Sequence, residues 1–150
     1  MHVAPQEVRT FHVTLVTAER RRIFQAESNI HLFLDILLEQ RDLRRLKLHA
    51  FVIMPNHVHL LITPAEDIAL EKAIQYIKGN VSHRLPDHTA VWQRSYNETR
   101  IRDGEQFAAA RHYIELNPVR ARFVDDAASF LWSSANSSYP VDAMPSHFMD

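Results

Sequence analysis

The hydrophobic and polar positions of the chain follow a pattern that predicts four β-strands. β-Branched and aromatic residues alternate with polar ones in FHVTLVT (residues 11–17), which is typical of a strand with one buried face. The segments LKLHAFVIM (46–54) and HVHLLIT (57–63) flank a Pro-Asn turn and predict a hairpin. A fourth strand is predicted over about residues 96–102, where arginines are frequent.

Apolar residues spaced three or four apart predict helices between these strands. The first should run over about residues 28–45 and the second over about 67–85. Asp103, followed three residues later by Gln106, resembles a capping box, so a third helix should start there and end near Pro118. The order strand, helix, strand, strand, helix, strand predicts an α+β fold with a ferredoxin-like βαββαβ split antiparallel sheet. Both crossover helices would cover one face, and the other face would be left open for an active site.

The length of 150 residues predicts one domain over residues 1–150. We expect its ordered core to span about residues 9–134 and a loose tail to span about 135–150, where the hydrophobic pattern decays. The absence of cysteine excludes disulfides, a thiolate nucleophile and iron-sulfur clusters. There is no apolar run of about 20 residues and no signal-peptide pattern, which predicts a cytoplasmic protein without a membrane partner.

The net charge of −1 conceals an asymmetry along the chain. Residues 1–122 hold all 17 basic groups and 14 of the 18 acidic groups, for a charge of +3. Fourteen of the basic residues are arginines, whose planar fork suits phosphate oxygens. Basic groups close in sequence to aromatic residues are typical of a track for single-stranded nucleic acid, although a solvated face is an equally good interpretation. The residues of this predicted track are Arg20, Arg21, Arg22, Lys72, Lys78, Arg94, Arg100 and Arg102.

Two short patterns could carry chemistry. His57 and His59 lie two apart on a predicted strand, so their imidazoles share a face and could bind one metal ion. Ten histidines in the chain make such a pair common by chance, and two hydrogen-bonded or exposed histidines are the alternative. Tyr113 and Asn117 are four apart on the third helix and share its face, where a tyrosine is more often a packing residue.

The two patterns occur together in a recognisable order. The segments HVTLVTAERRRIF, FVIMPNHVHLLI, VWQRSYNETRIRD, YIELNPVRARFV and FLWSS, between residues 11 and 134, resemble REP-associated tyrosine transposases of the single-tyrosine HUH, IS200-like superfamily. The resemblance implies that His57 and His59 bind a divalent metal, Mg²⁺ or Mn²⁺, with Asn117 as a third ligand, and that Tyr113 is the nucleophile. Relatives often have Gly and Leu where this chain has Arg122 and Phe123.

The resemblance implies a metal-dependent single-stranded DNA endonuclease and strand transferase. Such an enzyme acts next to repeat hairpins through a 5′-phosphotyrosine intermediate, so its partner would be single-stranded DNA with a palindromic hairpin. We expect it to be nucleoid-associated and either a monomer or a homodimer. The alternatives are a domesticated hairpin-binding protein without cleavage activity and a metal hydrolase of small phosphates.

Overall fold

The sheet has the predicted strands in the predicted antiparallel arrangement. The computed structural model describes residues 8–86, 90–136 and 138–149. Strands β1 (Thr10–Val16), β2 (Leu46–Met54), β3 (His57–Pro64) and β4 (Asn97–Ile101) form one sheet in the order β2-β3-β1-β4. All three neighbouring pairs are antiparallel. The α+β, ferredoxin-like fold class is therefore confirmed.

Three α-helices accompany the sheet, α1 (Glu27–Asp42), α2 (Leu70–Arg84) and α3 (Gly104–Arg120). Helices α1 and α2 pack on one face, in a core that includes Phe33 and Ile77. Each helix is positioned mainly by burying its apolar stripe against the sheet. Within the described ranges, no helix is both long and apolar enough to cross a membrane.

The alternation along β3 decides which helix lies on which face. Val58 and Leu60 are fully buried in the core beneath α1 and α2. Leu61 points the other way and is fully buried in a second core with Phe107 and Ile114 of α3. The face expected to be open is thus partly covered by α3, because this helix also has an apolar stripe to bury.

Helix α3 continues through the proline that was expected to end it. It runs to Arg120 with Pro118 inside, where the ring is buried. Proline removes a single backbone donor, and the N–H groups that follow it are satisfied within the last turn. Those hydrogen bonds run from Ala121 to the carbonyl of Asn117, from Arg122 to that of Val119 and from Phe123 to that of Pro118.

The prediction of a loose tail is wrong for the described residues 138–149, because they pack along the sheet. The Asp142 backbone N–H donates to the Leu48 carbonyl at 2.7 Å, and the Asp142 carboxylate accepts from the Leu48 N–H at 2.8 Å. These bonds cap the exposed edge of β2. Phe148 is buried against Phe107 of α3. The sequence pattern missed this packing because the contacts are made by isolated side chains without a helical or strand period.

Candidate active site

The two histidines of β3 lie side by side on the face that α3 partly covers. The β2–β3 turn places His57 at the first position of the strand, and His59 follows on the same face. Their ring centroids are 5.1 Å apart and their planes are nearly perpendicular. His57 is half-buried, whereas only 6% of His59 is exposed. The predicted juxtaposition of the pair is therefore present.

Hydrogen bonds fix both rings through the same nitrogen. Nδ1 of His57 lies 2.7 Å from Oδ1 of Asn56, which can only accept. Nδ1 of His59 lies 3.0 Å from Oγ1 of Thr14 and 3.1 Å from Nε2 of His12. A ring that donates through Nδ1 keeps the lone pair of Nε2 for a ligand, the arrangement that usually supports a metal-binding histidine.

The electrostatic surroundings keep the imidazoles neutral. Burial first, and then the charges of the neighbouring His12, His57 and Arg120, lower the pKa of His59 to about 3. Burial, followed by the charge of Arg20, also lowers the pKa of His57. Neutral imidazole is the form that binds metals. Both residues are thus in the protonation state that a metal site requires at neutral pH.

The donor set fits a divalent ion that keeps open positions. No group of three or more His, Asp or Glu that could hold a metal occurs among residues 8–86, 90–136 and 138–149. An ion here would rely on His57 and His59, and on oxygen atoms from an amide, from the substrate or from water. Asn117 lines the same cavity as His57.

Helix α3 places Tyr113 next to the histidines. Its ring centroid lies 5.7 Å from that of His59, with the planes at 89°, and 5.8 Å from that of His12. The side chain is nevertheless 47% exposed, so a large substrate can reach it. Arg120, two turns later, places its guanidinium carbon 4.2 Å from the centre of the Tyr113 ring and donates to the Tyr113 carbonyl at 2.6 Å.

A cavity of about 320 Å³ opens beside this cluster. It lies between the β2–β3 turn, the loop after β1 and the C-terminal end of α3. It has two guanidinium groups and no carboxylate in its lining, which favours an anionic ligand. The lining residues are Arg22, Met54, Pro55, Asn56, His57, Asn117, Arg120, Ala121 and Phe123.

The structure does not bring the predicted basic track together at this site. Arg22 lines the cavity, and Arg20 is close enough to affect the pKa of His57. Lys72 and Lys78 belong to α2, on the far side of the sheet. Arg100 pairs with Phe11 on β4 and β1, and shares the face that α1 and α2 cover.

The three other residues of the predicted track, Arg21, Arg94 and Arg102, do not line this cavity. Arg21 donates to the Ala90 carbonyl, and the backbone N–H of Arg102 donates to the Gln106 side chain at 2.8 Å. Arg94 is exposed, two residues after Trp92, which bridges to the end of β1. Sequence reasoning did not select Arg120, Asn56, Thr14 or His12.

Comparison with known proteins identifies the family of this chain. The model of the family described as IS200-like transposase matches residues 6–117, well over half of the chain. This chain belongs to the IS200-like transposase family. The match includes both histidines, Tyr113 and Asn117. It confirms the resemblance inferred from the sequence motifs.

Individual relatives of this IS200-like transposase point to one branch of the family. A REP-associated tyrosine transposase of Haemophilus influenzae is 28% identical over 110 residues, which are 64% of this chain and 62% of the relative. The match thus spans less than two thirds of that relative's length. The REP-associated tyrosine transposase of Escherichia coli K12 is 27% identical over 113 residues, covering 71% of this chain and 67% of the relative.

Solved structures support the same fold. The structure of a REP-associated tyrosine transposase bound to a REP hairpin has a TM-score of 0.71 and 24% identity, covering 97% of this chain and 92% of that one. A transposase structure from Deinococcus radiodurans has a TM-score of 0.51 and 21% identity, covering 77% and 95%. At these identities the similarity concerns the fold.

Proposed function

We propose that this IS200-like transposase is a metal-dependent single-stranded DNA endonuclease and strand transferase that acts next to repeat hairpins through Tyr113. One observation carries the proposal. The Tyr113 ring packs edge-on against His59 at 5.7 Å while 47% of the side chain stays exposed. A tyrosine that served only to pack would be covered by its neighbours, whereas a nucleophile must reach both the metal-ligand cluster and an incoming phosphate.

The transfer step balances without an external energy source. The Tyr113 phenol oxygen attacks the phosphorus, and the bond from phosphorus to the 3′ oxygen of the departing strand breaks. The phenol proton is lost, and the departing strand leaves with a 3′-hydroxyl. The product is a 5′-phosphotyrosine, which conserves the phosphodiester energy so that the reverse attack by a 3′-hydroxyl rejoins the strand.

The residues around Tyr113 divide the remaining tasks. His57 and His59, with Asn117 as the third ligand, would hold Mg²⁺ or Mn²⁺, an ion that polarises the phosphoryl group and stabilises its developing charge. Asn56 and Thr14 hold the two imidazole rings in orientation through their Nδ1 atoms. The position of Tyr113 on a helix anchored by buried Ile114 limits the movement of the phenol.

A covalent-adduct assay tests the proposal. Purified protein is mixed with Mn²⁺ or Mg²⁺ and labelled single-stranded hairpins taken from repeats that flank its gene, and is run on a denaturing gel. We expect a protein-sized shift of the label that disappears in Tyr113→Phe. The matched control is Tyr139→Phe, which also removes a phenol hydroxyl but lies against Phe51 in the core on the far side of the sheet. It should keep the adduct.

Each alternative has its own outcome. An adduct retained in Tyr113→Phe would refute the nucleophile assignment. Tight hairpin binding without any adduct in the wild type would favour the domesticated hairpin-binding protein. Calorimetric titration with Mn²⁺ tests the metal ligands independently of cleavage, and His57→Ala and His59→Ala should each lose the binding. Unchanged Mn²⁺ affinity in both variants would contradict the metal assignment.

A further inference from the structure

The C-terminal end of α3 carries features that the chemistry at Tyr113 does not use. Arg120 is the last residue of α3, Arg122 and Phe123 follow it, and the side chain of Phe123 is 48% exposed. Exposed phenylalanine rings on a basic surface are typical of platforms for nucleic-acid bases. Two of these residues, Arg120 and Phe123, line the cavity next to His57.

We infer that this cavity is the subsite for the nucleotide next to the scissile phosphate, with Arg22 and Arg120 binding its phosphate and Phe123 stacking on its base. The inference rests on the proposed function, since it places the substrate strand at the same site. The cavity volume of about 320 Å³ suits a single nucleotide unit and is at the small end of the range for ligand pockets.

Arg120 is held in a fixed position before DNA arrives. Its guanidinium lies over the Tyr113 ring at 4.2 Å, and one of its nitrogens donates to the Tyr113 carbonyl at 2.6 Å. A guanidinium has five N–H donors, so several remain for phosphate oxygens. Because Arg120 contacts the Tyr113 ring, a phosphate bound to Arg120 would lie at a defined distance from the attacking phenol oxygen. Residues that position a substrate in this way lower the entropy cost of the reaction.

Arg22 lines the cavity from the loop after β1. The loop after β1 is bound to the β2–β3 turn by two hydrogen bonds from Thr17 to the Asn56 carbonyl, both at 3.0 Å, and by one from Phe24 to the Pro55 carbonyl at 3.0 Å. These bonds fix the loop that carries Arg22 beside His57. A phosphate in the cavity would therefore meet the guanidinium groups of Arg22 and Arg120 and the imidazole of His57, which all belong to its lining.

Phe123 forms the outer rim of the cavity. Its ring is supported by Phe130, with centroids 6.3 Å apart and planes at 32°. Support from a partly buried neighbour keeps the exposed face available and reduces the conformational entropy lost on stacking. The chain thus presents a flat aromatic face at a cavity that is lined by two guanidinium groups.

The stacking role is tested by binding in EDTA, which prevents cleavage. The probes are one fluorescent DNA hairpin with a single-stranded foot and the same hairpin without the foot. Phe123→Leu should weaken binding of the footed hairpin by about 5- to 150-fold, and Phe123→Trp should restore it. Both variants should bind the footless hairpin like the wild type. Equal effects on the two probes, or no effect, would overturn the stacking role.

The phosphate role is tested by salt dependence on the footed hairpin. Arg22→Gln and Arg120→Gln should each lower the slope of log Kd against log salt concentration by about 0.7, the value for one single-strand phosphate contact. Both substitutions remove the positive charge and leave a polar amide in its place. The matched control is Arg84→Gln, which removes an exposed arginine paired with Glu39 on the far side of the sheet. If the slopes of all three variants equal that of the wild type, the phosphate assignment is wrong.

The adduct assay separates the two proposals. A wild-type adduct without any dependence of binding on Phe123, Arg22 or Arg120 would refute the subsite and leave the proposed function standing. Dependence on these residues without an adduct would support the subsite and refute the proposed cleavage. Absence of both would refute both.

Discussion

Arg122 occupies a backbone conformation that glycine prefers, which gives a stability prediction of defined sign. Helix α3 ends at Arg120, and Arg122 follows with φ of 64°. The hydrogen bonds from Arg122 to Val119 and from Phe123 to Pro118 form the turn that usually places glycine at this position. We expect Arg122→Gly to stabilise the protein relative to Arg122→Ala.

The comparison with alanine isolates the backbone contribution. Both variants remove the guanidinium and its favourable interaction with the helix C-terminus, so only the Cβ atom differs between them. Relief of the left-handed conformation contributes about 1–2 kcal/mol. The greater freedom of glycine in the unfolded chain offsets about 0.5–1 kcal/mol of that gain. The net difference is centred on about 0.8 kcal/mol, which corresponds to a rise in Tm of about 1.5–3 °C for a domain of this size.

Thermal and urea denaturation followed by circular dichroism would measure this difference. Arg111 provides the opposite control, because it is exposed and lies in the regular part of the same helix. There, glycine should be less stable than alanine by about 1 kcal/mol. The reasoning would be refuted if glycine were no more stable than alanine at position 122, or if positions 111 and 122 responded with the same sign.

Two further predictions concern the buried polar groups around β2. Burial lowers the pKa of His49 in the folded protein. As the pH drops below about 6.5, the unfolded chain therefore protonates at this histidine before the folded protein does. The free energy of unfolding should then fall by up to about 1.4 kcal/mol per pH unit. Urea unfolding of His49→Gln at pH 7 and pH 5 should give a smaller loss than the wild type; an equal loss would contradict the assignment. Asp142→Ala should cost about 1–3 kcal/mol in the free energy of unfolding, since it leaves the Leu48 N–H and Arg41 without their acceptor. Asp42 is the exposed neighbour of Arg41, and Asp42→Ala should cost less than about 0.5 kcal/mol in the same measurement. Equal costs for Asp142→Ala and Asp42→Ala would show that the tail contact is unimportant.

The sequence pattern predicted the elements that depend on a regular period. The alternation of Val58, Leu60 and Ile62 with His57 and His59 identified which face of the strand packs against α1 and α2, because the side-chain period of a strand is fixed at two. The helical spacing likewise placed Tyr113 and Asn117 on one face of α3. The placement of candidate residues on a periodic element could therefore be predicted from the sequence.

Features that depend on contacts between distant segments could not be predicted in this way. The end of α3 was misplaced because the rule for proline is local, whereas the helix is extended by burial of Pro118 and by the closing hydrogen bonds after it. The packed tail was missed because Asp142 and Phe148 act singly. The cavity beside His57 requires the loop of Arg22 to meet the end of α3, and no local pattern encodes that meeting.

The support of His59 shows the limit of sequence reasoning most directly. Thr14 lies opposite His59 in the register of β1 and β3, and His12 is two residues further along the same face. A shift of one residue would place Val13 or Leu15 opposite His59 instead, and its Nδ1 would lose both partners while apolar side chains faced the site. Val13 and Leu15 are fully buried on the α1 and α2 side, so the hydrophobic core itself holds the register that orients the imidazole. Packing on one face of the sheet thereby determines the geometry of the candidate site on the other.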